Sequence, residues 1–84
     1  MSYTVFILRR AQKELAQLPR EAYEHTRDAI RNLGQEPRPH GSTKLTGREG
    51  WRIRIGGYRV IYEIDDQQHA ISILHVGHRR DVYR

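Results

Sequence analysis

The stretch that decides the fold runs from residue 51 to residue 64: Trp51-Arg52-Ile53-Arg54-Ile55-Gly56-Gly57-Tyr58-Arg59-Val60-Ile61-Tyr62-Glu63-Ile64. On either side of the paired glycines, apolar residues recur at every second position. That period belongs to a β-strand with one face buried. Gly-Gly between two such runs is a two-residue hairpin signal. If the turn is tight, Ile55 pairs with Tyr58, Arg54 lies opposite Arg59, and Arg52 lies opposite Ile61. Arg52, Arg54 and Arg59 then share one face. Trp51, Ile53, Ile55, Tyr58, Val60 and Tyr62 cover the other, against which helices must pack. A one-residue slip would turn the arginines into the core, so the pattern specifies its own register.

Upstream, Tyr3 to Ile7 reads as a strand. Ala11, Leu15 and Leu18 recur at helical spacing and predict a helix over roughly Arg9 to Leu18. Pro19 breaks it and opens a second helix, marked by Ala22, Thr26, Ala29 and Leu33 on one face and widened by Tyr23 and Ile30. Gly34 falls where a helix C-cap glycine belongs. Gly34 to Ser42, with Pro37, Pro39 and Gly41, is a loop too short to separate two domains. Downstream, Asp65 to His69 is a polar loop, Ala70 to Gly77 a last strand and His78 to Arg84 a charged tail. With Ile64 opposite Ile71, Arg59 would face Val76, and His75 would share the buried face of Ile71 and Ile73. The order βααβββ predicts one α+β domain over residues 1–84, a helical hairpin packed on one face of a mainly antiparallel sheet.

The chain has 84 residues, 37% of them hydrophobic, and a formal net charge of +5. A basic domain of this size favours polyanions, either nucleic acid or an acidic protein segment. Thirteen arginines stand against two lysines. Solubility needs only charge, whereas arginine adds a planar fork that grips phosphate through two bonds. The absence of cysteine excludes disulfides and thiolate metal sites and fits a reducing cytoplasm. No apolar run approaches the roughly 20 residues that span a bilayer, and residues 1–7 lack the features of a signal peptide. No membrane partner is expected.

Like charges directly opposite one another destabilise a sheet. Three guanidiniums on one face therefore ask for an anion; the alternative is that they splay into solvent or pair with Glu63 or an acidic partner. The tail His75-Val76-Gly77-His78-Arg79-Arg80-Asp81-Val82-Tyr83-Arg84 brings histidine, arginine and tyrosine to the edge of that face, a mixture suited to RNA. RNA carries its own nucleophile. A protein need only orient the 2′-hydroxyl, take its proton, stabilise charge on phosphorus and protonate the leaving oxygen. No metal or other cofactor is needed, and His25, His40, His69, His75 and His78 lack a compact ligand spacing. Lys44, Arg48 and Arg80 are further candidates for RNA or ribosome contact.

The run Lys44-Leu45-Thr46-Gly47, the stretch 51–64, then Val76-Gly77-His78-Arg79 and Asp81-Val82-Tyr83 together resemble the RelE branch of the RelE/ParE toxin superfamily. Ala11-Gln12-Lys13-Glu14-Leu15 and Glu36-Pro37-Arg38-Pro39 extend the resemblance over nearly the whole chain. It implies a ribosome-dependent endonuclease that cuts the codon in the A site, leaving a 2′,3′-cyclic phosphate and a 5′-hydroxyl. It implies as partners a cognate antitoxin, the 70S ribosome and mRNA, with operator DNA reached only through the antitoxin complex.

By position, Arg52 and Arg54 match two lysines of the best-known members, the second of which helps activate the 2′-hydroxyl. Arg59 matches the arginine that stabilises the phosphate, Arg79 the residue that protonates the leaving group, and Tyr83 the tyrosine that stacks on the base. Arginine, with a pKa above about 12, is a poor proton acceptor at neutral pH. Arg54 is therefore expected to act electrostatically, and His78 is the candidate acceptor. Two alternatives stand beside this reading: a ParE-like inhibitor of DNA gyrase, and a non-catalytic antitoxin-binding module.

Overall fold

The computed structural model describes residues 2–78; Arg79, Arg80 and Tyr83 lie outside them. The elements are β1 (Thr4–Ile7), α1 (Arg9–Ala16), α2 (Arg20–Leu33), β2 (Thr43–Lys44), β3 (Trp51–Ile55), β4 (Tyr58–Asp65) and β5 (Ala70–His78). They form one five-stranded sheet in the order β1-β5-β4-β3-β2. β1 pairs with β5 in parallel, and the other pairs are antiparallel. The α+β layout is the expected one, with β2 added. Thr43 and Lys44 pair with Arg52 and Trp51, and two residues are too few to show a period of two.

The helices form where apolar residues recur on one face. Ala11 and Leu15 of α1, with Ile30 and Leu33 of α2, meet Ile53, Val60, Tyr62, Ile71, Ile73 and Val76 of the sheet in one core. Each isoleucine, leucine or valine among them, fully buried, contributes about 1.5–3 kcal/mol. α1 stops at Ala16, two residues earlier than its apolar spacing suggests. The proline ring of Pro19 disfavours helical backbone at Leu18 before it. Leu18 still packs against the core and donates its N–H to the Leu15 carbonyl. Pro19 then serves as the N-cap of α2 and accepts from the Tyr23 N–H.

Gly34 follows α2 in right-handed conformation, with φ −64°. A left-handed cap is therefore not the reason for glycine. A Cβ there would lie 3.0 Å from the Tyr3 carbonyl oxygen and 3.2 Å from that of Arg31. The helix end and the start of β1 close up on each other, and the Gly34 carbonyl accepts the Tyr3 N–H.

The β3–β4 hairpin has the register read from the sequence: Ile55 opposite Tyr58, Arg54 opposite Arg59, Arg52 opposite Ile61. Gly56 provides the positive φ of the turn, +61°. The β4–β5 ladder begins as expected, with Ile64 opposite Ile71, but shifts between Ile61 and Tyr62. Tyr62 pairs with Ile73 and Ile61 with His75, so Leu74 is the extra residue of a bulge. Beyond it Arg59 faces Gly77, not Val76. The core supplies the reason. An unbroken strand would point His75 inward opposite Val60; the bulge puts Val76 there instead, 1% exposed. Burying valine is favourable, whereas an imidazole there would need a hydrogen-bond partner.

Candidate phosphate-binding face

Residues paired across antiparallel strands point to the same side of the sheet. One row therefore runs Thr43, Arg52, Ile61, His75 across four strands, and the next runs Arg54, Arg59, Gly77. Arg52, Arg54 and Arg59 share the face away from the helices. Arg54 is exposed, while Arg52 and Arg59 are half-buried. Ile61 lies between them at 1% exposure. Its cover fits the habit of arginine stems, which lie along apolar surface while the charged head reaches water. Gly77 adds no side chain opposite Arg59. Strands lie about 4.8 Å apart, and diagonal neighbours such as Arg59 and His75 about 7–8 Å. Groups so spaced can reach one phosphodiester.

His75 is the residue that sequence reasoning misplaced. The bulge moves it from the core to the arginine face, half-buried. Its Nδ1 lies 3.9 Å from Glu14 Oε1. Glu14 reaches it because α1 runs beside β5, and the same oxygen accepts the Val76 N–H at 2.9 Å. Burial pushes the His75 pKa below the ordinary histidine value; Arg10 adds to this, Glu14 opposes it, and Arg48 lowers it further. No period in the sequence signals this position, because a bulge breaks the period.

One expected site residue moves the other way. His78 pairs with Tyr58, its ring edge-on at a centroid distance of 6.0 Å, which sets it on the helix side of the sheet. It shares a hollow with Gln17, Leu18 and Pro19 there. The one-residue shift at Leu74 carried it across, and it does not face Arg54. Lys44, a separate candidate for RNA or ribosome contact, pairs with Trp51 and borders the same depression as Arg48 and Arg52. Its Nζ lies 5.8 Å from the Trp51 ring and 4.0 Å from Glu49. Arg48 stays near the site, beside Arg52 in a shallow depression with Thr43 and Thr46. Behind Trp51, Arg38 stacks at 5.2 Å and is held by Asp66 at 2.8 Å; that cluster secures the loop rather than the face.

Residues 5–83 match the family model described as ParE toxin of type II toxin-antitoxin system, parDE. Toxin RelG of Mycobacterium tuberculosis is 35% identical over 100% of this chain and 99% of its own length. Among solved structures, the toxin-antitoxin complex RelBE2 of Mycobacterium tuberculosis superposes with a TM-score of 0.84 at 30% identity, covering 96% of this chain and 95% of that one. The archaeal RelE-RelB complex of Pyrococcus horikoshii OT3 gives 0.84 at 32% identity, covering 98% and 100%. The chain belongs to the RelE/ParE family of type II toxin-antitoxin toxins, in its RelE-type branch.

Proposed function

We propose that this family member is an mRNA endonuclease that acts on the ribosome, cutting the A-site codon by attack of the 2′-hydroxyl on the adjacent phosphodiester. The observation that carries the reading is the placement of Arg54 directly opposite Arg59, one rung from Arg52 and beside the side-chain-free Gly77. A sheet stabilised for its own sake would not oppose two guanidiniums. An anion with two or three acceptor oxygens turns the same arrangement into a binding site. Arg59 is the group to stabilise the extra charge on phosphorus, and Arg52 and Arg54 hold the neighbouring backbone, with Arg48 at the rim. Arg79 as proton donor to the leaving oxygen and Tyr83 as base stack complete the proposed site from outside the described residues. A cytoplasmic antitoxin would hold the toxin inactive, and operator DNA would be met only through that complex.

The family description also names parDE, which favours gyrase inhibition as the second reading. Incubation with translating ribosomes, followed by primer extension, separates the two. New 5′ ends within A-site codons, lost with Arg59→Ala by about a hundredfold or more in rate, support the nuclease. Intact message together with loss of gyrase supercoiling overturns it.

A further inference from the structure

The arginines of this face lack one thing that the proposed reaction requires. Arginine can bind the phosphate and lower the 2′-hydroxyl pKa by its charge, but it accepts no proton near neutrality. Of the histidines in the described residues, His78 is on the other side of the sheet and paired with Tyr58. His75 shares a row with Arg52 and is diagonal to Arg59. Resting on the nuclease reading above, we infer that His75 is the general base of this site and Glu14 its positioning residue.

The geometry supports both roles. Glu14 is fixed from two directions: Oε1 by the Val76 N–H at 2.9 Å and Oε2 by Arg10 Nε at 3.4 Å. Its Oε1 lies 3.9 Å from His75 Nδ1, an ion-pair distance rather than a hydrogen bond. Nδ1 is thus the nitrogen turned to the carboxylate, leaving Nε2 for the substrate. The carboxylate also favours the imidazolium once the proton arrives. Among the described residues, the charged groups acting on the ring are Arg10 and Glu14 from α1 and Arg48 from the β2–β3 loop; Arg52 and Arg59 share its face by register. Partial burial, Arg10 and Arg48 lower the His75 pKa against the opposing pull of Glu14, which favours a neutral resting ring.

In the step, the 2′-oxygen forms a bond to phosphorus as its proton passes to His75 Nε2. The bond from phosphorus to the 5′-oxygen breaks, its electron pair stays on that oxygen, and a proton from water or a donor at the site neutralises it. The imidazolium then returns its proton to solvent. The products are a 2′,3′-cyclic phosphate and a 5′-hydroxyl, with no change of oxidation state.

Single-turnover cleavage on programmed ribosomes tests this between about pH 5 and about pH 9, either side of the histidine range. His75→Ala and His75→Gln should slow cleavage about a hundredfold or more and abolish the acid limb seen in the wild type. Added imidazole should restore part of the His75→Ala rate. Glu14→Gln, which keeps an acceptor for Val76, should move the acid limb to lower pH. A wild-type rate and limb in both His75 variants, with Arg59→Ala inactive, overturns the inference and leaves the nuclease reading standing. A slowed rate with an unchanged limb and no imidazole rescue assigns His75 a structural part and overturns it too. A wild type that makes no cut sinks both.

Discussion

Arg54 stands directly opposite Arg59 on the two strands of the β3–β4 hairpin. Their juxtaposition places two positive charges one strand spacing apart on a face that the helices leave open. Like charges so opposed weaken a sheet in general and would serve an anion.

The first prediction tests that trade. Arg54→Ala should leave the fold unharmed and raise its stability by about 0.2–1 kcal/mol, the range for a cross-strand pair. The gain should shrink as salt is added, because exposed charges are screened over about 10 Å at 0.1 M ionic strength. Urea unfolding at low and high salt measures it. Affinity for short single-stranded RNA should fall in the same variant. A fold weakened by the substitution, or RNA affinity untouched, would show that the pair does not oppose itself or does not bind phosphate.

A second prediction concerns pH. The Asp66 carboxylate accepts from Arg38 at 2.8 Å and from the Tyr3 hydroxyl at 2.6 Å. The Arg38 bond, then the Tyr3 bond, hold its pKa below the ordinary value. A depressed carboxylate contributes stability that is present above its unfolded pKa and lost as pH falls through the folded one. The bond to Asp66 first, and burial second, raise the Tyr3 pKa. A raised group contributes stability below its unfolded pKa that is lost as pH rises through the folded one. The wild type should therefore lose melting temperature below about pH 4 and again above about pH 10. Asp66→Asn should flatten both limbs, by thermal melts across that range. Equal slopes in the two proteins would remove Asp66 from the account.

The third prediction lies in the core. Thr26, on α2, is fully buried, and its Oγ1 has no hydrogen-bond partner among the described residues. A buried hydroxyl left unsatisfied costs about 1–3 kcal/mol. Thr26→Val keeps the branched shape and removes the hydroxyl. It should raise the urea midpoint with an unchanged slope, a gain of about 1 kcal/mol. A loss of stability would mean that the hydroxyl is satisfied in solution.

How much of this was legible depends on distance along the chain. The hairpin register needed only residues 51–62, because a diglycine turn and a period of two are local facts. The shared face of Arg52, Arg54 and Arg59 followed from them. The two helices were legible as faces, though the end of α1 was set by a proline three residues beyond it. Gly34 caps α2 as its place in the sequence suggests; what excludes a side chain there is the Tyr3 carbonyl, from the far side of the helical hairpin. Glu14 carried no signal at all, since its role comes from Val76 and His75, about sixty residues away.

The sequence alone determined the family, the α+β layout, the hairpin and the arginine face, because alternation and turn chemistry act between neighbours. The tertiary structure decided which histidine joins that face. In β5 two apolar demands compete: Ile71 and Ile73 fit the core on one parity and Val76 on the other. Leu74 resolves the conflict as an extra residue, turning His75 out to the arginines and His78 toward the helices. Only the assembled core holds the information for that choice.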